Sequence, residues 1–209
     1  GLGKTTLIYN EQLKFYTPLA SEGGHLDFSV QNKEELNLVN FVKKYKKVQN
    51  VTYENLLSGP GLDSIYLFVR KHRKYNTLEN QRFSAPRNFK KISRETKYTK
   101  EIDKSKNKPE LISRYRKTDA TCKATFEIFK SIYARFAKCA ALDSLAFGGV
   151  YIAGGIAAKN KDIFDEKFVK MFMENHKLKH VLGKIPIYLI LNYNSGMLGA
   201  GFAASKLIK

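Results

Sequence analysis

The sequence predicts an α/β layer fold, because short apolar strands alternate with amphipathic helices along its second half. Residues 149–153 and 185–191 are apolar runs of strand length. The pattern predicts a helix over residues 161–173 between them and a final helix, rich in small residues, over 196–208. The longest helix is predicted over residues 118–145, with Thr118 or Asp119 as its N-cap. Its stripe of apolar residues at helical spacing consists of Ala124, Ile128, Phe129, Ile132, Phe136, Ala140 and Leu145.

The first third of the chain predicts a hairpin followed by two helices. Residues 5–9 and 12–16 have strand character around an Asn10-Glu11 turn. Residues 33–47 place apolar side chains on one face and lysines on the other, which favours a helix. The Ser-Gly-Pro-Gly run at 58–61 indicates a turn, and a helix over 62–69 is expected after it.

Residues 70–117 form a basic zone, with seventeen Lys or Arg against five Asp or Glu in a chain of net charge +18. The zone is polar and poorly periodic and contains Pro86 and Pro109, which favours a mobile surface insertion. Its aromatic residues interleave with the cations as stacking platforms do in nucleic-acid-binding proteins; they are Tyr75, Phe83, Phe89, Tyr98 and Tyr115. A nucleic-acid-binding module is therefore one alternative, although no nucleic-acid motif accompanies the charge.

The composition favours a folded protein of the cytoplasm. Hydrophobic residues make up 43% of the chain, enough for a sizeable core. No apolar run reaches the length that spans a bilayer, and the first residues lack the apolar run of a signal peptide. Cys122 and Cys139 lie about 25 Å apart along one predicted helix, so they cannot bridge within it, and reduced thiols are expected. Neither cysteine has the spacing of a metal ligand.

Four separated stretches, in order, resemble the bacterial-type glucokinase family. Glu-Gly-Gly-His at 22–25, followed by Asp-Phe, is similar to the sugar-binding signature of that family. The block at 54–62 resembles the next family block. The Gly-Gly-Val-Tyr-Ile-Ala-Gly-Gly-Ile run at 148–156 resembles the family's adenosine-site strand and turn. The segment from 185 to 200 resembles its closing strand and helix.

The resemblance implies an actin-like ATPase, or ribonuclease H-like, fold of two α/β domains closing on a cleft. Residues 1–192 would be the larger domain, carrying the basic insertion at 70–117. The helix within 193–209 would return to an otherwise absent small domain and should expose an unpartnered apolar face. The implied activity is transfer of the γ-phosphoryl of Mg-ATP to the 6-hydroxyl of glucose, and the implied assembly is a homodimer. No catalytic residue is assigned, because the family's catalytic aspartate is expected upstream of Gly1.

Three residues are the candidates for contacting the sugar: Glu22, His25 and Glu54. A sugar kinase needs carboxylates and an imidazole that make directed hydrogen bonds, because an unpaired buried hydroxyl is costly. Gly23-Gly24 would let the backbone turn tightly, so that Glu22 and His25 point the same way. Glu54 has a second interpretation, as a carboxylate in the first turn of a short helix capped by Thr52.

Glycines at turns are the candidates for holding the nucleotide, because phosphates need backbone N–H donors and close approach. They are Gly1 and Gly3 at the start of the chain and Gly154 and Gly155 after the 149–153 strand. Lys4 and Thr5 suggest the end of a P-loop as another alternative. That motif requires a helix after the threonine, whereas residues 5–9 predict a strand.

Overall fold

The computed structural model describes residues 1–71 and 95–207, which fall in two compact units. The first unit comprises residues 1–136 and the second residues 137–209. The division lies within one long helix.

The first unit opens with an antiparallel hairpin of β1 (Thr6–Asn10) and β2 (Phe15–Leu19). In the turn, the Asn10 side-chain oxygen accepts hydrogen bonds from the N–H groups of Gln12 and Leu13, at 3.0 and 2.9 Å. Lys14 adopts a left-handed backbone conformation, with φ of 55°. The predicted hairpin is therefore confirmed, but its second strand begins later than the pattern indicated, because the turn occupies four residues.

Three helices follow: α1 (Lys33–Lys46), α2 (Tyr53–Leu56) and α3 (Gly59–Lys71). The predicted helices over 33–47 and 62–69 are thus confirmed, and the second starts within the expected turn. Gly61 allows α2 and α3 to approach closely, since a Cβ there would overlap the Leu56 backbone. The apolar side chains that are at most 1% exposed in these helices belong to the core of the first unit: Leu38, Val42, Leu56, Leu62, Ile65, Tyr66 and Phe68.

The described part of the basic zone, residues 95–117, is largely helical, although its sequence showed little helical period. Two helices form there, α4 (Lys97–Lys104) and α5 (Lys108–Tyr115), and α5 packs on α3. Each buries one isoleucine completely, Ile102 and Ile112. Pro109 lies in the first turn of α5, where proline favours a helix because no N–H is needed. Residues 72–94 of the zone lie outside the described residues.

The long helix α6 (Ala120–Ser144) confirms the prediction over 118–145. Asp119 is its cap, because its Oδ1 accepts a hydrogen bond from the Cys122 N–H at 3.0 Å. The helix ends where Leu145 adopts a left-handed conformation with φ of 45°. Both cysteines lie on α6 and are free: Cys122 is buried and Cys139 exposed.

The second unit contains the strands β3 (Val150–Ile152) and β4 (Ile187–Leu189), which pair in parallel. Three short helices connect them: α7 (Gly155–Lys159), α8 (Glu166–Phe172) and α9 (Lys179–Leu182). A parallel pair needs such a crossover, so the predicted α/β class is confirmed.

The helix predicted over 161–173 is divided in two. A 3₁₀ turn over Lys161–Ile163 precedes α8. Asp165 caps α8 by accepting the Phe168 N–H at 2.9 Å, so a new helix begins there.

The last helix, α10 (Ser195–Leu207), exposes its apolar side chains, as the sequence predicted. Met197, Leu198 and Phe202 are 70%, 60% and 52% exposed. Across residues 1–71 and 95–207, no helix has the length and apolarity needed to cross a membrane.

Candidate functional site

A tight turn in the first unit presents Glu22 and His25. Residues Gly23–His25 form a 3₁₀ turn, closed by a hydrogen bond from the His25 N–H to the Glu22 carbonyl at 2.9 Å. The Gly23 N–H is bound by Ser21 Oγ at 3.0 Å. The turn leaves its two glycines buried and directs the side chains at either end outward.

Helix α2 presents Glu54 beside this turn. Thr52 and Asn55 form a capping box, in which Asn55 Oδ1 accepts the Thr52 N–H at 3.0 Å. The Tyr53 N–H donates to the Leu26 carbonyl at 3.1 Å, and the Phe28 N–H donates to the Val51 carbonyl at 2.8 Å. Backbone hydrogen bonds therefore join the segment that follows His25 to the segment that leads into Glu54. Glu54 does lie in the first turn of a short helix, and it faces the 22–25 turn as well.

The three side chains predicted to contact the sugar converge. His25 Nε2 is 3.4 Å from Glu54 Oε2 and 3.8 Å from Glu22 Oε2. Both separations lie within ion-pair range and are longer than the usual hydrogen bond of about 2.7–3.2 Å. The side chains of Glu22, His25 and Glu54 are 88%, 60% and 31% exposed. An imidazole between two accessible carboxylates can bind a ligand that carries several hydroxyl groups.

The start of the chain packs directly on this cluster. The Leu2 N–H donates to Glu54 Oε2 at 3.4 Å. A Cβ on Gly24 would overlap the Leu2 carbonyl oxygen, and one on Gly23 would lie 2.7 Å from Lys4 Cδ. Neither glycine adopts a positive φ. Gly24 is therefore required for close approach of the 1–4 segment, and the tight turn expected at Gly23-Gly24 forms without a positive φ at either glycine.

The glycines predicted to hold the nucleotide lie in both units. In the second unit, Gly154 caps α7 with φ of 111°, a conformation that other residues rarely adopt. A Cβ at Gly154, Gly155 or Gly3 would meet no atom within 4 Å, so the space beside each is open. A Cβ at Gly1 would lie 3.6 Å from the Glu54 carboxylate oxygens, which places the first residue beside the cluster of Glu22, His25 and Glu54.

Comparison with known proteins identifies the family. The family model described as Glucokinase matches residues 1–207. The chain belongs to the glucokinase family. It is 30% identical to a glucokinase of Nostoc punctiforme over 208 residues, which are 99% of this chain and 59% of the relative. It is also 30% identical to a glucokinase of Shigella dysenteriae, covering 96% of this chain and 54% of the relative.

Solved glucokinase structures share the fold. A glucokinase crystal structure from an Antarctic psychrotroph superposes with a TM-score of 0.67 at 22% identity, over 95% of this chain and 53% of that one. The glucokinase of Balamuthia mandrillaris, solved in complex with glucose, gives 0.64 at 17% identity, over 90% of this chain and 47% of that one. The chain thus spans about half the length of the relatives that it matches.

Family membership gives no support to the two alternatives from the sequence, a P-loop NTPase and a nucleic-acid-binding module. A P-loop needs a helix after Lys4 and Thr5, and the chain forms strand β1 there. In the described part of the basic zone, the Tyr98 and Tyr115 rings pack against each other with centroids 4.7 Å apart. The Tyr115 hydroxyl also donates to Glu101 at 2.7 Å, so these rings are engaged within the fold.

A lysine that the sequence did not single out is electrostatically coupled to the cluster. Burial lowers the pKa of Lys46, while the negative charges of Asp63 and Glu54 oppose that shift. Burial also raises the pKa of Asp63, against the charge of Lys108 and the hydrogen bond from Tyr45.

The sequence also missed Leu2 and Phe28, which position the cluster through backbone hydrogen bonds. The apolar side chains of these residues gave no signal. The Asp-Phe pair after the sugar signature was the one available clue for Phe28. Within residues 1–71 and 95–207, no group of three His, Cys, Asp or Glu side chains could hold a metal ion.

Proposed function

We propose that the complete protein transfers the γ-phosphoryl of ATP to the 6-hydroxyl of glucose. The observation that carries the proposal is the convergence of His25 with Glu54 and Glu22, 3.4 and 3.8 Å apart, at the positions that resemble the family's sugar signature. Family membership supports the reaction class. In the reaction, the sugar oxygen forms a bond to the γ-phosphorus, the bond to the β-γ bridging oxygen breaks, and ADP leaves.

In this proposal, Glu22, His25 and Glu54 orient the sugar. The two carboxylates accept hydrogen bonds from sugar hydroxyls, and the His25 ring donates or accepts one. Fixing the ring in this way holds the 6-hydroxyl in line with the γ-phosphoryl, and catalysis of phosphoryl transfer consists almost entirely of positioning and electrostatic stabilisation. The hydroxyl proton passes to a carboxylate that, by resemblance, lies outside the 209 residues.

The nucleotide would be held by the backbone at Gly1, Gly3, Gly154 and Gly155. The open space beside Gly3, Gly154 and Gly155 supports this role, since phosphates approach the backbone most closely at glycine. Within residues 1–71 and 95–207, no three His, Cys, Asp or Glu side chains cluster to hold a metal ion, and Mg²⁺ that accompanies a nucleotide takes many of its ligands from phosphates and water. We therefore assign these residues no role in binding Mg²⁺, which would enter with ATP.

The finer architecture belongs to the same proposal. We assign residues 1–192 to a large domain of actin-like, ribonuclease H-related type and residues 193–209 to a helix of a small domain. The exposed apolar side chains of α10 support this assignment, because such a face needs a partner in the complete protein. A homodimer and a cytoplasmic location follow from the family resemblance.

The test is steady-state kinetics of the complete protein with Glu22→Ala and His25→Ala. Either change should raise the glucose KM or lower kcat/KM for glucose by about 10²-fold, because a directed hydrogen bond to a hydroxyl is lost, and should leave the ATP KM nearly unchanged. Glu11→Ala is the matched control, since Glu11 is an 81% exposed carboxylate in the hairpin turn. Unchanged glucose kinetics in both variants would remove these residues from the sugar site.

A further inference from the structure

An ion pair deep in the first unit joins α6 to the start of α1. Arg135 Nη2 donates to Glu35 Oε1 at 2.6 Å, and Nη1 donates to Oε2 at 3.0 Å. The two side chains are 7% and 3% exposed. The pair is therefore bidentate, short and almost completely removed from solvent.

The pair holds the segment that follows the sugar turn. Arg135 Nη1 also donates to the Ser29 carbonyl at 3.1 Å, and the guanidinium lies 4.7 Å from the centroid of the Phe28 ring. On the other side, Glu35 Oε2 accepts the Gln31 N–H at 2.8 Å. One ion pair thus fixes residues 28–31 by two backbone hydrogen bonds and one ring contact.

The same segment is connected to Glu54. The Phe28 ring packs edge-on against Tyr53, with centroids 5.5 Å apart, and the Phe28 N–H binds the Val51 carbonyl. Tyr53 directly precedes Glu54 in α2. Arg135 therefore contacts the residue that joins the His25 turn to the Glu54 helix, although it touches neither site side chain.

Stability alone does not account for this pair. Removing two charges from water costs free energy that the pair's attraction often fails to return, and apolar replacements of similar volume are frequently as stable. Arg135 Nε adds to that cost, because it is buried without a hydrogen-bond partner in the part of the chain that the structure describes. What apolar side chains cannot reproduce is the directed bonding to the Ser29 carbonyl and the Gln31 N–H.

We propose that Arg135, paired with Glu35, is a positioning residue of the sugar site, which sets the 22–28 turn in register with Glu54. The proposal rests on the proposed function, since it assumes that Glu22, His25 and Glu54 bind the sugar. The pair acts on glucose recognition through the Phe28–Ser29 backbone. It does not act on the nucleotide.

Two variants of the complete protein test the proposal. Arg135→Lys keeps the charge but cannot form the bidentate pair and the Ser29 bond together. The double variant Glu35→Met with Arg135→Met replaces the pair by apolar side chains. Each should raise the glucose KM about tenfold, with the ATP KM within about twofold of the parent value. The double variant should also retain a melting temperature near that of the parent.

The control is Arg70→Lys, which alters the Arg70–Asp103 pair, 2.8 Å long and remote from residues 22–31 in sequence. It should leave the glucose KM unchanged. A folded Arg135 variant with the parent's glucose KM, or an equal rise in the glucose and ATP KM values, overturns the proposal. Failure of both variants to fold assigns the pair to stability and overturns it too.

His25→Ala in the same assay distinguishes failure of the Arg135 positioning role from failure of the proposed sugar site. A raised glucose KM in His25→Ala with unchanged values in the Arg135 variants refutes only the positioning role. Unchanged values in both His25→Ala and Glu22→Ala refute the proposed sugar site, and the positioning role with it.

Discussion

Gly24→Ala tests the packing between the start of the chain and the turn that carries Glu22 and His25. A Cβ at position 24 would lie 2.9 Å from the Leu2 carbonyl carbon and closer still to its oxygen. Carbon atoms in contact are about 3.5–4.0 Å apart, so Leu2 or the turn must move by roughly 1 Å. Because the Leu2 N–H donates to Glu54 Oε2, this movement also disturbs the cluster.

The cost can be worked from these two effects. Overpacking a tightly packed site costs about 1–3 kcal/mol, and loss of one hydrogen bond adds about 1 kcal/mol. A loss of about 2–4 kcal/mol lowers the Tm of a chain of this size by about 4–16 °C. Glu54 also shifts relative to His25, so the glucose KM should rise.

The assay is thermal unfolding and glucose kinetics of the complete protein, with Gly59→Ala as the matched control. A Cβ at Gly59 would make only an ordinary contact, 3.8 Å from Pro109 Cγ, and the position starts α3. If Gly24→Ala matches Gly59→Ala in both Tm and glucose KM, the close approach of Leu2 to the turn has no consequence and the reasoning fails.

Three further outcomes are expected from the same structure. Asp119→Ala should lower the free energy of unfolding in urea by about 1–2 kcal/mol, because Asp119 caps α6 and also accepts a hydrogen bond from the Thr96 hydroxyl at 3.0 Å. Asp119→Ser should lower it less, and equal losses in the two variants would contradict the capping role. A thiol reagent at pH 8 should label exposed Cys139 but spare Cys122 in the native protein, because burial and the Asp119 charge raise the pKa of the Cys122 thiol; rapid labelling of Cys139→Ala would be the opposite result. The 209-residue chain alone should show negligible glucose phosphorylation, since the proposed proton acceptor lies elsewhere, and turnover at the rate of the complete protein would refute that.

Local patterns were sufficient for the elements whose signal extends over several turns. Helix α6 carries a long apolar stripe, and α1 combines an Asn32 cap with a clear polar face, so both could be predicted closely. Helices α4 and α5 could not, because each has eight residues and one fully buried isoleucine. A single buried apolar residue cannot show the helical period of hydrophobic residues, and the surrounding lysines made the segment resemble a solvated loop. Helix α5 packs on α3 and on α4, and tertiary packing of this kind stabilises helices too short to persist alone.

The residues of the candidate site could be selected from the sequence, but their arrangement could not. Glu22, His25 and Glu54 could be selected from sequence, because their residue types and order resemble a family signature. Their convergence depends on the pairing of Leu26 with Tyr53 and of Phe28 with Val51, which no local pattern encodes. Arg135 was invisible for the same reason: its partner Glu35 is a hundred residues away. Contacts at that separation are a property of the folded chain.

The most direct test of the sugar site is a crystal structure of the complete protein grown with glucose. Glucose hydroxyl oxygens should lie within about 3.2 Å of the side chains of Glu22, His25 and Glu54, with the 6-hydroxyl directed away from them. Glucose bound at another place, with these three side chains contacting only water, would contradict it.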